Sequence, residues 1–126
     1  MRRLFLLAAL ILAAGTARAD PLPHIVVFFN AWSARLDGAA KQAIQAAADW
    51  ARHHPDAALV VIGYSSSVGS QAANQDLARL RAQIVTDTLV ADGVAAAQIR
   101  HKARGSVDFA LDPEEARRVE IALGEE

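Results

Sequence analysis

The chain has 126 residues, with 13 Lys and Arg against 14 Asp and Glu, 53% hydrophobic residues and no cysteine. The lack of cysteine excludes a disulfide framework and lipid attachment at an N-terminal Cys. The near-neutral, slightly acidic balance argues against a nucleic-acid partner, because phosphate binding needs a basic face.

Residues 1–19, MRRLFLLAALILAAGTARA, start with Arg2 and Arg3 and continue through an apolar stretch from Leu4 to Ala14. They end in Ala17-Arg18-Ala19, a small-x-small pattern, so the segment is expected to be a secretory signal peptide. The apolar part is too short for a transmembrane helix, which needs about 20 residues. An uncleaved anchor is the alternative. No other segment is apolar enough to span a bilayer, so none is expected after cleavage. Cleavage would leave residues 20–126 as one domain with a core of its own. Removing Arg2, Arg3 and Arg18 from the 13 basic residues leaves 10 against 14 acidic ones, a formal charge of −4.

Pro21 and Pro23 delay regular structure until HIVVFF, His24 to Phe29, which reads as a strand. WSARLDG follows as a loop, with Asp37 placed to cap a helix. From Gly38 to His53 the residues Ala40, Ile44, Ala47, Ala48 and Ala51 repeat at the spacing of one helix face. His53 and His54 suit the negative end of that helix, and Pro55 stops it. ALVVIGY, Ala58 to Tyr64, is continuously apolar, so it is expected to be covered on both faces or central in its sheet. GYSSSVG forms a polar loop, and Ser70 can cap a helix over Gln71 to Asp92, with Gly93 as its stop. Leu77, Ala78, Ala82, Val85 and Leu89 form the apolar stripe of this helix. Ile99 to Arg104 is a third strand, and the alternation in RRVEIAL, Arg117 to Leu123, predicts a half-exposed fourth. The order β-α-β-α-β-β predicts an α/β two-layer sandwich, in which two helices cover one face of a mixed sheet.

Catalytic patterns fail on inspection. A nucleophile elbow needs Gly-x-Ser-x-Gly, but four residues after Gly63 stands Ser67, and no Ser-x-x-Lys starts in the serine run. These hydroxyls suit turn and capping roles. His53 and His54 are adjacent, so on a helix they point about 100° apart, and His24 and His101 add no metal-ligand spacing. ARGSVD and GYSSSVGS are too poor in glycine and lysine for a phosphate loop. Neither a cofactor nor an enzymatic reaction is indicated.

One residue breaks the helical pattern. Arg81 lies four residues after Leu77 and four before Val85, on or beside the apolar stripe, and Asn74 is two turns earlier on the same side. Arg81 can snorkel past the edge of the core. Alternatively, its planar fork can bind a carboxylate.

NQDLARLRAQIVTDTLVADGV resembles the N-x-x-L-x-x-x-R-A-x-x-V-x-x-x-L-x-x-x-G-[VI] helix of the OmpA-like domain family. FNAWSARL is similar to the family's F-x-x-x-S-A-x-L opening, VVIGYSSSVGS to its strand and loop, and RRVEI to its closing strand. The matches keep their order from about Val26 to Leu123. The resemblance implies non-covalent binding of the diaminopimelate in the peptidoglycan stem peptide, without cofactor or metal. In that family, an aspartate in the loop takes the ligand's ammonium and an arginine in the following helix takes its carboxylate. Carried over by position, the implied ligand-binding residues are Arg81, Asn74, Leu77, Arg118 and the loop residues Ser65 and Ser66. Gly69 and the Arg117-Arg118 pair also match.

Ser66 stands where the family has its aspartate. A hydroxyl accepts a hydrogen bond from an ammonium but brings no charge. Hydrogen bonds to charged groups contribute about 1.5–3 kcal/mol, against about 1 for neutral ones. The expected loss is roughly 1–2 kcal/mol, or about 5- to 30-fold in affinity. Compensation would need Asp76 or Asp108 in the pocket. Ala116 replaces the family's Asn or Asp before the arginine pair, and GSVDFALDPEEA is short and lacks the usual G-x-G-E. Two readings follow. One is a periplasmic module, at the wall or outer membrane, with weakened peptidoglycan binding. The other is a degenerate domain that contacts an envelope protein instead.

Overall fold

The computed structural model describes residues 23–106 and 113–125. The expected signal segment lies outside these residues, as does Asp108. Four strands form one mixed sheet: β1 (His24–Phe28), β2 (Ala58–Ser65), β3 (Ile99–Ser106) and β4 (Arg118–Glu125). Their spatial order is β1-β4-β2-β3; β4 is antiparallel to both its neighbours, whereas β2 and β3 are parallel. The helices are α1 (Gly38–His53), α2 (Gln71–Ala91) and the short α3 (Pro113–Ala116).

Local chemistry explains the main boundaries. The Asp37 carboxylate accepts from the Ala40 N–H at 2.7 Å and so starts α1. The predicted stripe of Ala40, Ile44, Ala47, Ala48 and Ala51 is its buried face. At the far end, His53 and His54 each donate from Nδ1 to a carbonyl four residues back, and the His54 ring stacks on Trp50 at 4.1 Å. Ser70 accepts from the Ala73 N–H to start α2. The Gly93 N–H bonds to the Val90 carbonyl and the Val94 N–H to the Leu89 carbonyl, which closes the helix in a Schellman turn. Gly93 has φ +104°, a conformation in which any side chain would be strained.

Both long helices lie on one face of the sheet. Their residues Ile44, Ala47, Val85 and Leu89 meet Val27, Leu59, Val61, Val119 and Ile121 from the strands. The continuous apolarity of β2 reflects its central place between β4 and β3. Val60 and Tyr64 are buried on the face without helices as well. At Gly63 the backbone of α2 approaches β2 closely: a Cβ there would sit 2.1 Å from the Ala78 carbonyl oxygen.

The structure departs from the sequence reading at several points, with β1 stopping at Phe28 rather than Phe29 and β3 running on to Ser106 rather than Arg104. A 3-10 turn, Ala96–Gln98, precedes β3, and Gln98 caps α1 by donating from Nε2 to the carbonyls of Ala51 and His54. The helix α3 is four residues long, too short for periodicity to reveal; Pro113 at its first position and Glu114 and Glu115 in its first turn suit a helix start. Finally, β4 begins at Arg118 rather than Arg117. Arg117 occupies the bend, where its N–H donates to the Glu114 carbonyl and its carbonyl accepts from the Phe29 N–H.

Candidate functional site

A cleft of about 200 Å³ opens where the ends of β1 and β2 meet the start of α2. The loop after β1 contributes Ala31 and Trp32, the serine loop contributes Ser66 and Val68, and α2 contributes Asn74, Leu77 and Arg81. Arg117, in the bend before β4, completes the lining.

Asn74 shapes the serine loop from below. It is 2% exposed, and its Nδ2 donates to the carbonyls of Val68 at 2.7 Å and Ser70 at 3.0 Å. Ser66 turns the loop by accepting from the Val68 N–H at 3.1 Å. Gly69 has φ +88°, and its Cα faces the Trp32 ring so closely that a Cβ would lie 3.0 Å from it. Trp32 itself has φ +53° and is 60% exposed at the cleft's edge.

Arg81 is the largest fully buried side chain of the described residues, with no exposed surface. Each of its guanidinium nitrogens donates to a different backbone carbonyl: Nε to Ser33 at 2.9 Å, Nη1 to Tyr64 at 3.2 Å and Nη2 to Asn30 at 3.0 Å. The guanidinium carbon also lies 5.1 Å from the Phe29 ring centroid, within cation–π range. Burial, and then repulsion from Arg117, lower its pKa to about 10, so it remains a cation at neutral pH. Among the described residues no carboxylate forms an ion pair with it. Arg117 is half-buried and is anchored by its Nε, which donates to the Phe29 carbonyl at 3.0 Å. The described lining therefore holds two guanidinium groups and no carboxylate.

The fold brings four of the sequence-predicted residues together at the cleft: Arg81, Asn74, Leu77 and Ser66. It sets two apart. Ser65 is buried, outside the lining, and its hydroxyl has no hydrogen-bond partner. Arg118 points to the sheet face that carries no helix, because alternate residues of a strand point to opposite sides. There its guanidinium lies 4.0 Å above the Tyr64 ring and its Nε donates to Glu120 at 2.9 Å. Arg117 takes the place at the cleft. Ala31, Trp32 and Val68 carry no signal in the sequence, whereas Arg117 is marked there as a member of the matching Arg117-Arg118 pair, of which Arg118 is the expected ligand contact. Asp76 does not line the cleft, and it faces solvent beside Arg79.

Among the described residues, no group of His, Asp and Glu could hold a metal ion, and no helix is long and apolar enough to cross a membrane.

The sequence pattern of the OmpA family matches residues 28–121. The chain is 34% identical over 103 residues to the probable lipoprotein YiaD of Escherichia coli K12, covering 77% of this chain and 47% of that protein. It is 42% identical over 57 residues to outer membrane protein A of Serratia odorifera, covering 45% of this chain and 24% of that protein. The chain thus spans less than half the length of these curated relatives. Among solved structures, the peptidoglycan-associated lipoprotein from Burkholderia pseudomallei superposes with a TM-score of 0.72 at 23% identity, over 78% of this chain and 88% of that one. The OmpA-like domain of FopA1 from Francisella tularensis superposes with a TM-score of 0.71 at 26% identity, over 79% of this chain and 73% of that one. The family pattern spans both long helices, the serine loop, the whole of β2 and β3 and the first half of β4, about three quarters of the sequence: the chain belongs to the OmpA family.

Proposed function

We propose that the chain is a non-enzymatic envelope protein, exported to the periplasm, that binds peptidoglycan through a stem-peptide carboxylate seated in this cleft. One observation carries the reading: a buried Arg81, charged at neutral pH and without an acidic partner among the described residues, lies beneath a cleft that Arg117 also lines. A buried charge is costly unless it is compensated, and an anion entering the cleft supplies what the backbone carbonyls only partly provide. Arg117, which keeps exposed surface, makes the direct contact, while Arg81 supplies positive potential from below. The zwitterionic diaminopimelate end is held weakly, because Ser66 stands where the family pattern has aspartate.

A second reading is favoured by the geometry of Arg81 itself. Its exposed surface is nil and all its nitrogens hold backbone carbonyls, which suits an arginine retained to brace a domain that contacts an envelope protein instead of the wall.

Co-sedimentation with insoluble peptidoglycan separates the two. Under the first reading, wild-type protein sediments with the wall, Arg117→Ala abolishes this and Ser66→Asp strengthens it. No wild-type sedimentation, with a folded protein, would refute wall binding and leave the interaction module.

A further inference from the structure

Among the described residues, the donors and acceptors around the cleft are strongly one-sided. Arg81 and Arg117 are cations. The Ser66 oxygen accepts from the Val68 N–H, which leaves its own O–H to donate. The carbonyls of Asn30, Ser33 and Tyr64, acceptors that could have faced a ligand, are occupied by Arg81. To a ligand ammonium, Ser66 and Asn74 offer only neutral oxygens, beside two like charges. The rest of the described lining is apolar: Ala31, Val68, Leu77 and the Trp32 ring. Trp32 is 60% exposed, where attraction between a ring and a cation is weak. Its position is nonetheless a built one, held at positive φ against Gly69.

We infer that the cleft selects a carboxylate carried by an uncharged, small apolar group, such as the C-terminal alanine of an N-acylated peptide, over the zwitterionic end of a free amino acid. The carboxylate lies against Arg117 and the Ser66 hydroxyl, above the buried charge of Arg81. The alanine methyl group meets Trp32, Val68 and Leu77. The inference rests on the proposed carboxylate binding to peptidoglycan, and it names which end of a stem peptide is taken: the acyl-D-alanine terminus rather than the diaminopimelate terminus.

The test uses two soluble probes, N-acetyl-D-alanyl-D-alanine and meso-diaminopimelate, titrated separately into the protein. Binding is followed by NMR shifts of the Trp32 indole and Arg117 signals. Wild-type protein should bind the acyl dipeptide more tightly than diaminopimelate, and Ser66→Asp should tighten diaminopimelate binding by about 5- to 30-fold, the difference expected when an ammonium meets a charged acceptor in place of a neutral one. Ser66→Asp should narrow or reverse that preference, and Arg117→Ala should weaken both probes. Equal or tighter wild-type binding of diaminopimelate would overturn the inference while leaving the carboxylate reading intact. Cleft signals that respond to neither probe, in a protein that still sediments with peptidoglycan, would overturn it by placing wall binding elsewhere. Neither response nor sedimentation would remove both readings together. The wild-type comparison decides the matter even if Ser66→Asp fails to fold.

Discussion

Arg81 holds the end of β2 in place: its Nη1 donates to the Tyr64 carbonyl oxygen across 3.2 Å, one residue before the serine loop begins. Its other two nitrogens fasten the loop after β1 at Asn30 and Ser33. One side chain thus sets the spacing of the two loops that wall the cleft. Arg81→Ala would leave three carbonyls without their donor and open a void beside Phe29. Since hydrogen bonds to charged groups contribute about 1.5–3 kcal/mol each and are not additive, the expected loss is ~3 kcal/mol or more. Arg81→Lys should recover only part of it, because one ammonium cannot reach three divergent oxygens. Urea unfolding of the two variants measures both effects. Equal stability of Arg81→Ala and wild type would refute the bracing role.

Asn74 should be intolerant of a change that keeps its shape. Asn74→Asp replaces an amide donor with a carboxylate oxygen facing the carbonyls of Val68 and Ser70, so attraction becomes repulsion. A destabilisation of about 1–3 kcal/mol is expected, the penalty for leaving buried polar groups unpaired. The serine loop should also loosen, which faster amide exchange at Val68 and Ser70 would reveal.

Gly63→Ala is expected to be among the most damaging single-methyl changes in the chain. The added Cβ would sit 2.1 Å from the Ala78 carbonyl oxygen and 3.1 Å from the Ala82 Cβ, so α2 must lift from the sheet. Overpacking of this kind costs ~3 kcal/mol at the upper end of its usual range, and here the obstacle is backbone. Thermal unfolding should show a clear fall in Tm, with the cleft disturbed because Asn74 and Arg81 ride on the same helix.

Alkaline pH should weaken the fold through Tyr64. Burial first, and then the nearby Glu120 carboxylate, raise the pKa of its hydroxyl above the ordinary value of 10.0. Above pH 10 the unfolded chain loses this proton while the folded chain keeps it. The folded state then binds more protons, and stability falls as pH rises towards the folded pKa. Tyr64→Phe should flatten that decline. Burial of Arg81 acts with the opposite sign, because a lowered folded pKa leaves the unfolded state holding the extra proton as pH rises above about 10. Urea midpoints between pH 9 and pH 11 for wild type and Tyr64→Phe isolate the tyrosine contribution.

Much of the architecture was legible because its signals are local. The α1 stripe of Ala40, Ile44, Ala47, Ala48 and Ala51 follows from helical period alone, and Asp37, Ser70 and Gly93 mark helix ends within a few residues of the groups they satisfy. The 3-10 turn and α3 leave no periodic trace because three or four residues make about one helical turn, too little for an apolar pattern to repeat. The candidate site was legible in part: Asn74, Leu77 and Arg81 share a helix face by spacing, and the family resemblance marks Ser66 as the residue standing where the pattern has aspartate.

The sequence by itself determined the element order, the helix faces and the absence of an acidic residue at position 66. Only the tertiary structure decided what Arg81 does, since its carbonyl partners lie 17, 48 and 51 residues away along the chain. It also decided which of two adjacent arginines reaches the cleft. The pairing of Phe28 with Arg118 sets the register of β4, and neighbouring strand residues face opposite sides. Arg118 is thereby committed to Tyr64 on the face without helices, and Arg117, in the bend before the strand, is left to line the cleft.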